Sequence, residues 1–313
     1  MMGAHWRMGS AAMVVAVALS WPAGASARSS VSTRCRAAIV KSTGLYIGAQ
    51  TKALTKCWDA VVAGKQVGPC PDVKAQNGID KARAKLDFAI AKVCGGADKV
   101  CGAATAPDVA LGVIGWNIGS CSNVGGGACT NPIADCRDII TCVACVSDAA
   151  VAQGFDLYYH AGVMPGADKE LRKCVREVGR ASASVLAKLS QSFAKCWLDV
   201  NKSESGGSFS CPDAHASSVS AKARSSQAAS ICKACGRKNG CGGGDDIAPA
   251  TIGFPLQCPA IGSCGGSIQT LQDVASCSAC VTGVVADGAA RNSIPAFTSP
   301  PPQCVTLPMS PTN

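Results

Sequence analysis

The chain has few large aromatic side chains and few histidines. Phe, Trp and Tyr together make up 4% of its 313 residues, and it contains three histidines. Because small side chains bury less apolar area than large ones, a core built from this composition contributes limited stability. Covalent staples are therefore expected to make up part of the stability of the fold.

Sequence motifs that mark catalysis are missing or out of place. The chain has no Gly-x-Ser-x-Gly motif, and the neighbours of His160 and His215 do not indicate a catalytic triad. None of the three Cys-x-x-Cys motifs is followed by the His that haem attachment requires. A thioredoxin-like site would need such a motif in a βαβ unit, and no strand pattern is present. We predict a protein that is not an enzyme and has no cofactor and no metal ion.

Basic residues outnumber acidic ones, 29 to 20, but they do not form one dense stripe. Those between Lys52 and Lys92 are spread along predicted helices, and few aromatic residues lie among them. This pattern is typical of a solvated basic face and disfavours nucleic-acid binding. The partner is unknown, and the partner classes that remain are surface glycans, lipids and proteins.

Cysteine, by contrast, is abundant, with 21 in the chain. Residues 1–27 have the pattern of a signal peptide, with Arg7 before an apolar run at 11–19 and small residues at 22–27. The apolar run is too short to span a membrane, and no span is expected after signal removal. Exported cysteine-rich chains form disulfides, because oxidising compartments make and keep them. We predict a secreted protein, periplasmic or extracellular, in which thiolate metal sites are disfavoured.

The segment from Cys174 to Cys280 repeats the segment from Cys35 to Cys145. Corresponding residues are 135 to 141 positions apart, and nine cysteines keep their order. Self-similarity of this extent indicates a duplication. The motifs that recur include Lys56-Cys57-Trp58 as Lys195-Cys196-Trp197, Cys70-Pro71-Asp72 as Cys211-Pro212-Asp213, Ile114-Gly115-Trp116 as Ile252-Gly253-Phe254, and Cys142-x-x-Cys145 as Cys277-x-x-Cys280.

Each predicted repeat also has one cysteine that the other lacks. Cys136 in the first is matched by Leu271, and Cys232 in the second is matched by Ala91. Each repeat therefore keeps an even number of cysteines. We interpret the difference as a change of disulfide partner for one cysteine, with all disulfides still formed within their own repeat. Cys304 is then the odd cysteine.

Hydrophobic periodicity predicts a mainly α-helical fold. In the first repeat, apolar residues recur at helical steps from about Ser32 to Val62, and a second helix is expected to end at Cys94. Pro71 and Asp72 are predicted in the first turn of that second helix, where a missing N–H costs nothing and a carboxylate opposes the helix dipole. Gly-rich loops follow, and each repeat ends in a helix that carries its last Cys-x-x-Cys motif.

Helix length predicts two disulfides in each helical hairpin. Cys35 and Cys57 would lie about 33 Å apart along one helix, and Cys70 and Cys94 about 36 Å apart along the next. If these helices are antiparallel, Cys57 can reach Cys70 at the turn and Cys35 can reach Cys94 at the open end. The corresponding candidates in the second repeat are Cys196 with Cys211, and Cys174 with Cys232 or Cys235.

The Cys-x-x-Cys motifs are interpreted as structural. Cysteines three apart lie on one helix face and suit bridges to a neighbouring helix. The motifs are predicted late in their helical segments, not at an N-terminus where a thiolate would be stabilised. Their partners stay open, because ten cysteines allow many connectivities. The three motifs contain Cys142 and Cys145, Cys232 and Cys235, and Cys277 and Cys280.

Asp108 and Asp246 occupy corresponding positions after the Gly-rich loops. Asp245 and Asp246 follow three glycines and could contact calcium, but the first repeat has only Asp108 there. A helix N-cap after a loop is therefore the preferred role.

The recurring motifs resemble uncharacterised secreted bacterial proteins with tandem cysteine-rich helical repeats. The features that carry the resemblance are Lys-Cys-Trp, Cys-Pro-Asp, the Cys-Gly stop, Ile-Gly-Trp or Ile-Gly-Phe, and the closing Cys-x-x-Cys. It covers nearly all of the chain after residue 27. The resemblance implies export and disulfides and brings no established activity.

We predict a mainly α fold of two tandem disulfide-stapled helical hairpins with Gly-rich loops. The segments are a signal peptide (1–27), the repeats (28–160 and 161–291) and a tail rich in Pro, Ser and Thr (292–313). A duplication without a unique polar cluster favours a non-catalytic binding or structural module at or outside the cell surface. The alternative is a carrier of small apolar ligands in a helical cavity. A continuous apolar pocket would favour the carrier, and a filled core would favour the module.

Overall fold

The computed structural model describes residues 30–122, 129–160, 167–203, 210–238 and 240–297. The predicted signal peptide, Cys304 and the rest of the chain after residue 297 lie outside these ranges. Within them the protein is mainly α-helical, and pairing between extended segments is limited to two isolated bridges, which confirms the predicted mainly α class. The helices are α1 (Val31–Val62), α2 (Val73–Cys94), α3 (Leu111–Ile114), α4 (Cys136–Tyr158), α5 (Lys169–Lys202), α6 (Ala214–Cys235), α7 (Leu271–Asn292) and a final 3-10 turn, Pro295–Phe297.

The six long helices each begin at a residue whose side chain accepts a hydrogen bond from a first-turn amide. At α2, for example, Asp72 Oδ1 accepts from the Ala75 amide at 2.7 Å. Such bonds satisfy amides that have no partner inside the helix. At α4 and α7, Asp138 and Asp273 also bond back to the cap residue and complete capping boxes. The cap residues are Ser30, Asp72, Asp135, Asp168, Asp213 and Thr270.

The Cys-Pro-Asp motifs lie just before their helices, so the prediction that Pro71 and Asp72 stand in the first turn is wrong. Asp72 is the N-cap of α2, and Pro71 precedes it after a cis peptide bond. The reason is that Asp72 caps with its side chain, which requires an extended backbone at that residue. Asp213 caps α6 in the same way.

The long helices α1 and α5 pack against each other in opposite directions. Near one end of the pair Arg180 Nε donates to Asp59 Oδ2 at 2.6 Å. Near the other end Arg36 Nε donates to Asn201 Oδ1 at 2.6 Å. Because Asp59 is late in α1 and Arg180 is early in α5, these two contacts establish the antiparallel arrangement.

Small side chains allow these helices to approach closely. A Cβ on Gly44 of α1 would lie 3.0 Å from the Cβ of Ala194 in α5 and 3.3 Å from the Ser190 carbonyl oxygen. Serine and threonine are buried across the helix bundle, and several bond a carbonyl one turn earlier. The scarcity of aromatic residues is thus met by close helix packing, and the most deeply buried hydroxyl residues are Ser147, Ser182, Ser278 and Thr282.

Helices α4 and α7 connect the two hairpins. Tyr46 of α1 donates to Asp148 Oδ1 of α4 at 2.8 Å, and the hydroxyls of Tyr158 in α4 and Thr282 in α7 are hydrogen-bonded. Helix α4 has the length and mean hydropathy of a membrane span, but 61% of its most apolar window is buried inside the protein. We therefore treat it as a core helix.

The beginning of the predicted tail packs on the first half of the chain. Ile294 is fully buried, and Ala296 lies against Gly115, where a Cβ would be 2.3 Å from the Ala296 Cβ. The Arg36 guanidinium lies 5.4 Å from the centre of the Phe297 ring. Residues 292–297 therefore belong to the helical body.

Candidate binding groove

All twenty cysteines in the described ranges form disulfides. The disulfides at the ends of each hairpin are the ones that helix length predicts. For Cys174, which could have paired with Cys232 or Cys235, the partner is Cys235, with 4.7 Å between their Cα atoms. The ten bonds indicate an oxidising environment, such as the extracellular space or the periplasm. They are Cys35–Cys94, Cys57–Cys70, Cys101–Cys136, Cys121–Cys142, Cys129–Cys145, Cys174–Cys235, Cys196–Cys211, Cys232–Cys241, Cys258–Cys277 and Cys264–Cys280.

The two cysteines that differ between the halves explain why one pair of corresponding cysteines has different disulfide partners. Cys101 bonds Cys136, the cysteine found only in the first half. Its counterpart Cys241 bonds Cys232, the cysteine found only in the second half. Each half remains closed, in agreement with the interpretation from the sequence.

Two of the three Cys-x-x-Cys motifs bond differently from the prediction, whereas Cys235 of the third links α6 to the neighbouring helix α5, as predicted. Cys142 and Cys145 lie in the first half of α4 and bond Cys121 and Cys129 of the preceding loop, not a neighbouring helix. The motif in α7 likewise bonds the loop before it. The prediction failed because the loop folds back along its own helix, a long-range contact that helical periodicity does not encode.

The loop aspartates are also used differently from the prediction. Asp108 does not cap the short helix α3, whose N-cap is Ala110. Its Oδ2 accepts from the Cys136 amide at 3.0 Å, in the first turn of α4, and from the Gly102 amide at 3.1 Å. Asp246 Oδ2 accepts from the Gly242 amide at 2.8 Å. Both carboxylates therefore shape loops.

Asp108, Cys101 and Cys136 form a cluster whose side-chain atoms lie within 4.8 Å of one another, a spacing that suits a metal ion. The two sulfurs are bonded to each other and cannot act as thiolate ligands. One carboxylate remains, and it already accepts two amide hydrogen bonds. This cluster does not fit a metal. His160 and His215 are both exposed.

An open groove lies between the start of α1 and the end of α2 and extends to the end of α5. Its volume is about 760 Å³. The floor consists of half-buried apolar side chains from four parts of the chain: Ala37, Ala38, Val93, Val109 and Leu198. This volume is in the range of small-molecule sites.

Three basic side chains, Arg34, Lys41 and Lys92, surround this floor. All three are exposed, and none forms an ion pair with a carboxylate of the described residues. Lys92 Nζ lies 5.9 Å from the centre of the Phe88 ring. The groove thus combines an apolar floor with an unneutralised positive rim.

A smaller hollow of about 400 Å³ lies on the other side of the last turns of α2. Phe88, which is 69% exposed, lines it together with Arg83, Lys99 and Arg137. Arg83 is paired with Asp87 at 2.9 Å, and Arg137 donates to loop carbonyls. Lys99 is exposed and has no ion pair among the described residues. Groove and hollow together are called the cationic face below.

The corresponding surface of the second half is closed by an ion pair. Under the sequence correspondence that relates Cys35 to Cys174, Leu198 matches Asp59 and Lys41 matches Arg180. Asp59 and Arg180 are bonded at 2.6 Å, and this hydrogen bond raises the pKa of Arg180 above its usual value. The small residues of the floor are replaced as well, Ala37 by Arg176 and Ala38 by Glu177. The groove is therefore specific to the first half.

The enclosed spaces found inside the helix bundle are small. One, near Tyr158 and Phe254, holds about 10 Å³, and another between α1, α5 and α7 is closed to water. A single water molecule needs at least about 10–15 Å³. These spaces do not provide the interior cavity that the carrier alternative requires.

Sequence reasoning missed the groove. Arg34 and Lys41 are seven residues apart and therefore share one helix face, with Ala37 and Ala38 between them. That spacing was a usable signal for a basic edge beside an apolar strip. The contribution of Leu198, which comes from α5, has no local signal.

Comparison of the chain with protein-family models, curated proteins and solved structures found no match.

Proposed function

We propose that this protein is a non-catalytic binding module that acts at or outside the cell surface and binds anionic ligands through its cationic face. The observation that carries the proposal is the groove with its positive rim. Arg34, Lys41, Lys92 and Lys99 are exposed there without carboxylate partners among the described residues. Such charges attract anions at ranges limited by salt screening.

The scaffold supports a binding role. Disulfides at both ends of each hairpin and the fully buried small side chains leave little freedom in the helices. A rigid surface binds with less loss of conformational entropy than a flexible one. The filled interior disfavours the carrier alternative, which needs an enclosed apolar cavity.

Charge reversal tests this proposal. We would measure binding of the full disulfide-bonded chain to immobilised heparin, a sulfated glycan, at about 150 mM salt. The double variant Lys92→Glu with Lys99→Glu is expected to weaken binding about tenfold, since each lost pair contributes up to about 1 kcal/mol.

The matched control reverses two exposed lysines of the second half, Lys188→Glu with Lys233→Glu. It changes the net charge equally and is expected to weaken binding much less. Equal weakening by both double variants would show nonspecific attraction to a basic protein, and the proposal would be wrong.

A further inference from the structure

We propose that the groove on the first half binds a single-chain anionic amphiphile, a molecule with one alkyl tail and one carboxylate or phosphate head. The tail lies on the floor formed by Ala37, Ala38, Val93, Val109 and Leu198, and the head lies at the basic rim. This inference rests on the proposed function, because it names the ligand class for part of the same cationic face.

The floor suits an alkyl chain. Its five apolar side chains are half-buried, so an occupant would remove their remaining apolar surface from water. Along α1 the groove extends from Val31 to Lys41, about 15 Å at the rise of an α-helix. Val31, at one end, is itself 49% exposed. The groove is therefore elongated along α1, as an extended chain requires.

The rim suits one anionic head. Arg34 and Lys41 lie on the α1 side and Lys92 on the α2 side, and none is neutralised by a carboxylate of the described chain. Charge-assisted hydrogen bonds from such groups to carboxylate or phosphate are stronger than neutral ones. An uncharged or cationic head would leave these charges without a partner.

The size of the groove disfavours other occupants. Ten residues line it, whereas a stable protein interface uses about 20–30 residues on each side. A bilayer surface is flat on this scale and would not reach the floor. A polyanion would gain nothing from the apolar side chains.

The second half shows what closes such a groove. There Asp59 stands at the position of Leu198 and forms an ion pair with Arg180, which stands at the position of Lys41. Replacing Leu198 by Asp would remove an apolar contact and place a carboxylate within the groove. It would repel the head of an anionic ligand and neutralise a rim cation.

Isothermal titration calorimetry of the full disulfide-bonded protein tests the inference. Dodecanoate and dodecyl phosphate would each be titrated below the concentration at which they form micelles. Inorganic phosphate supplies the head without the tail, and dodecyltrimethylammonium supplies the tail with the opposite charge. We expect one binding site for an anionic amphiphile. Inorganic phosphate and dodecyltrimethylammonium should each bind at least about tenfold more weakly. The two anionic chains distinguish a carboxylate from a phosphate head.

Two variants locate the site. Leu198→Asp is expected to weaken binding of the preferred chain at least about tenfold, and Lys92→Glu about threefold to tenfold. Their controls are Leu256→Asp, at a leucine that is 67% exposed outside the groove, and Lys233→Glu, at the position matching Lys92. Lys92 is exposed, so its variant tests the site even if Leu198→Asp disturbs the fold.

The outcomes separate this inference from the proposed function. If the variant pairs behave alike, or if the cationic chain binds as well as the anionic ones, the inference is wrong. If the protein binds heparin through the cationic face but binds no amphiphile, the inference fails and the proposed function stands. If neither ligand binds, both fail. If dodecanoate binds as expected and heparin does not, the site is an amphiphile site and the broader face plays no part.

Discussion

The ring of Tyr159 lies directly on the backbone of Gly179. A Cβ on Gly179 would be 2.1 Å from Tyr159 Cζ, and the Trp58 ring stacks on the Tyr159 ring with 5.5 Å between their centres. Glycine in the middle of a helix lowers helix stability. Its presence in α5 is explained by this contact, through which the ends of α1 and α4 meet α5.

We therefore predict that Gly179→Ala destabilises the protein. The added methyl group has no room, and overpacking of this kind costs about 1–3 kcal/mol, partly offset by the better helix propensity of Ala. Urea unfolding would measure the change in the free energy of unfolding. The control is Gly288→Ala in α7, where a Cβ meets nothing within 4 Å and a gain of about 0.5–1 kcal/mol is expected. Equal stability of the two variants would contradict the packing described here.

The three tyrosines of the chain are all buried, which predicts an unusual titration. Burial is the main cause that raises the pKa of Tyr46, Tyr158 and Tyr159, and neighbouring carboxylates, Asp148 for Tyr46 and Asp59 for Tyr159, raise it further. Since the chain has three tyrosines in all, tyrosinate absorbance near 295 nm reports these residues alone. We expect little ionisation of the folded protein at about pH 10, where tyrosine in an unfolded chain is half ionised. Half ionisation of the native protein at that pH would rule out this burial.

The same shifts predict how stability changes at alkaline pH. A group whose pKa is raised by folding stabilises the native state below its unfolded pKa and loses that effect as the pH rises. For the three tyrosines the loss begins near pH 10 and continues upward. The urea midpoint should therefore fall between pH 9.5 and about 11. Tyr46→Phe should reduce this slope, and an unchanged slope would contradict the assignment.

The disulfide framework predicts the number of reactive thiols. Ten bonds use twenty of the 21 cysteines, and the remaining one is Cys304, which lies outside the described residues. Alkylation before reduction, followed by intact-mass measurement, should label at most one cysteine. Peptide mapping without reduction should link Cys232 to Cys241 and Cys101 to Cys136. Several labelled cysteines, or a Cys174–Cys232 link, would contradict this connectivity.

The change of partner between the halves predicts unequal losses of stability. Cys101–Cys136 closes a sequence separation of 35 residues, and Cys232–Cys241 closes one of 9. In the chain-entropy description, removing them by paired Cys→Ser replacement costs about 4 and about 3 kcal/mol, respectively. Unfolding in urea without reductant would compare the two variants. A larger loss from the shorter loop would show that native-state strain, not loop closure, decides the effect.

Several features of this protein are determined by the sequence through local rules. Apolar residues at helical spacing predict α1 and α5, and the Cys-Pro-Asp and Cys-Gly motifs mark the two ends of α2 and α6. The rise of an α-helix is enough to match Cys35 with Cys94 and Cys57 with Cys70. These inferences work because a helix has one repeat length, so that positions along it follow from residue number. The presence of an oxidising environment follows from the cysteine count in the same direct way.

Other features depend on contacts that sequence spacing does not specify. The loops bond back to Cys142 and Cys145 and not to another helix, and Asp108 reaches the amide of Cys136 in a helix that begins 28 residues later. The choice of Cys235 over Cys232 for Cys174 depends on which of two neighbouring positions faces α5. Each outcome is decided by how separate elements pack.

The groove shows the difference most clearly. The basic rim residues on α1 can be read from their seven-residue spacing, because residues so spaced share a helix face. Whether that face becomes an open apolar groove or a closed ion pair depends on the antiparallel packing of α1 and α5, which brings Leu198 to one end and Asp59 to the other. Sequence determined the helices and their charges, and tertiary packing decided where an apolar surface stays open, because that surface is formed by residues far apart in the chain.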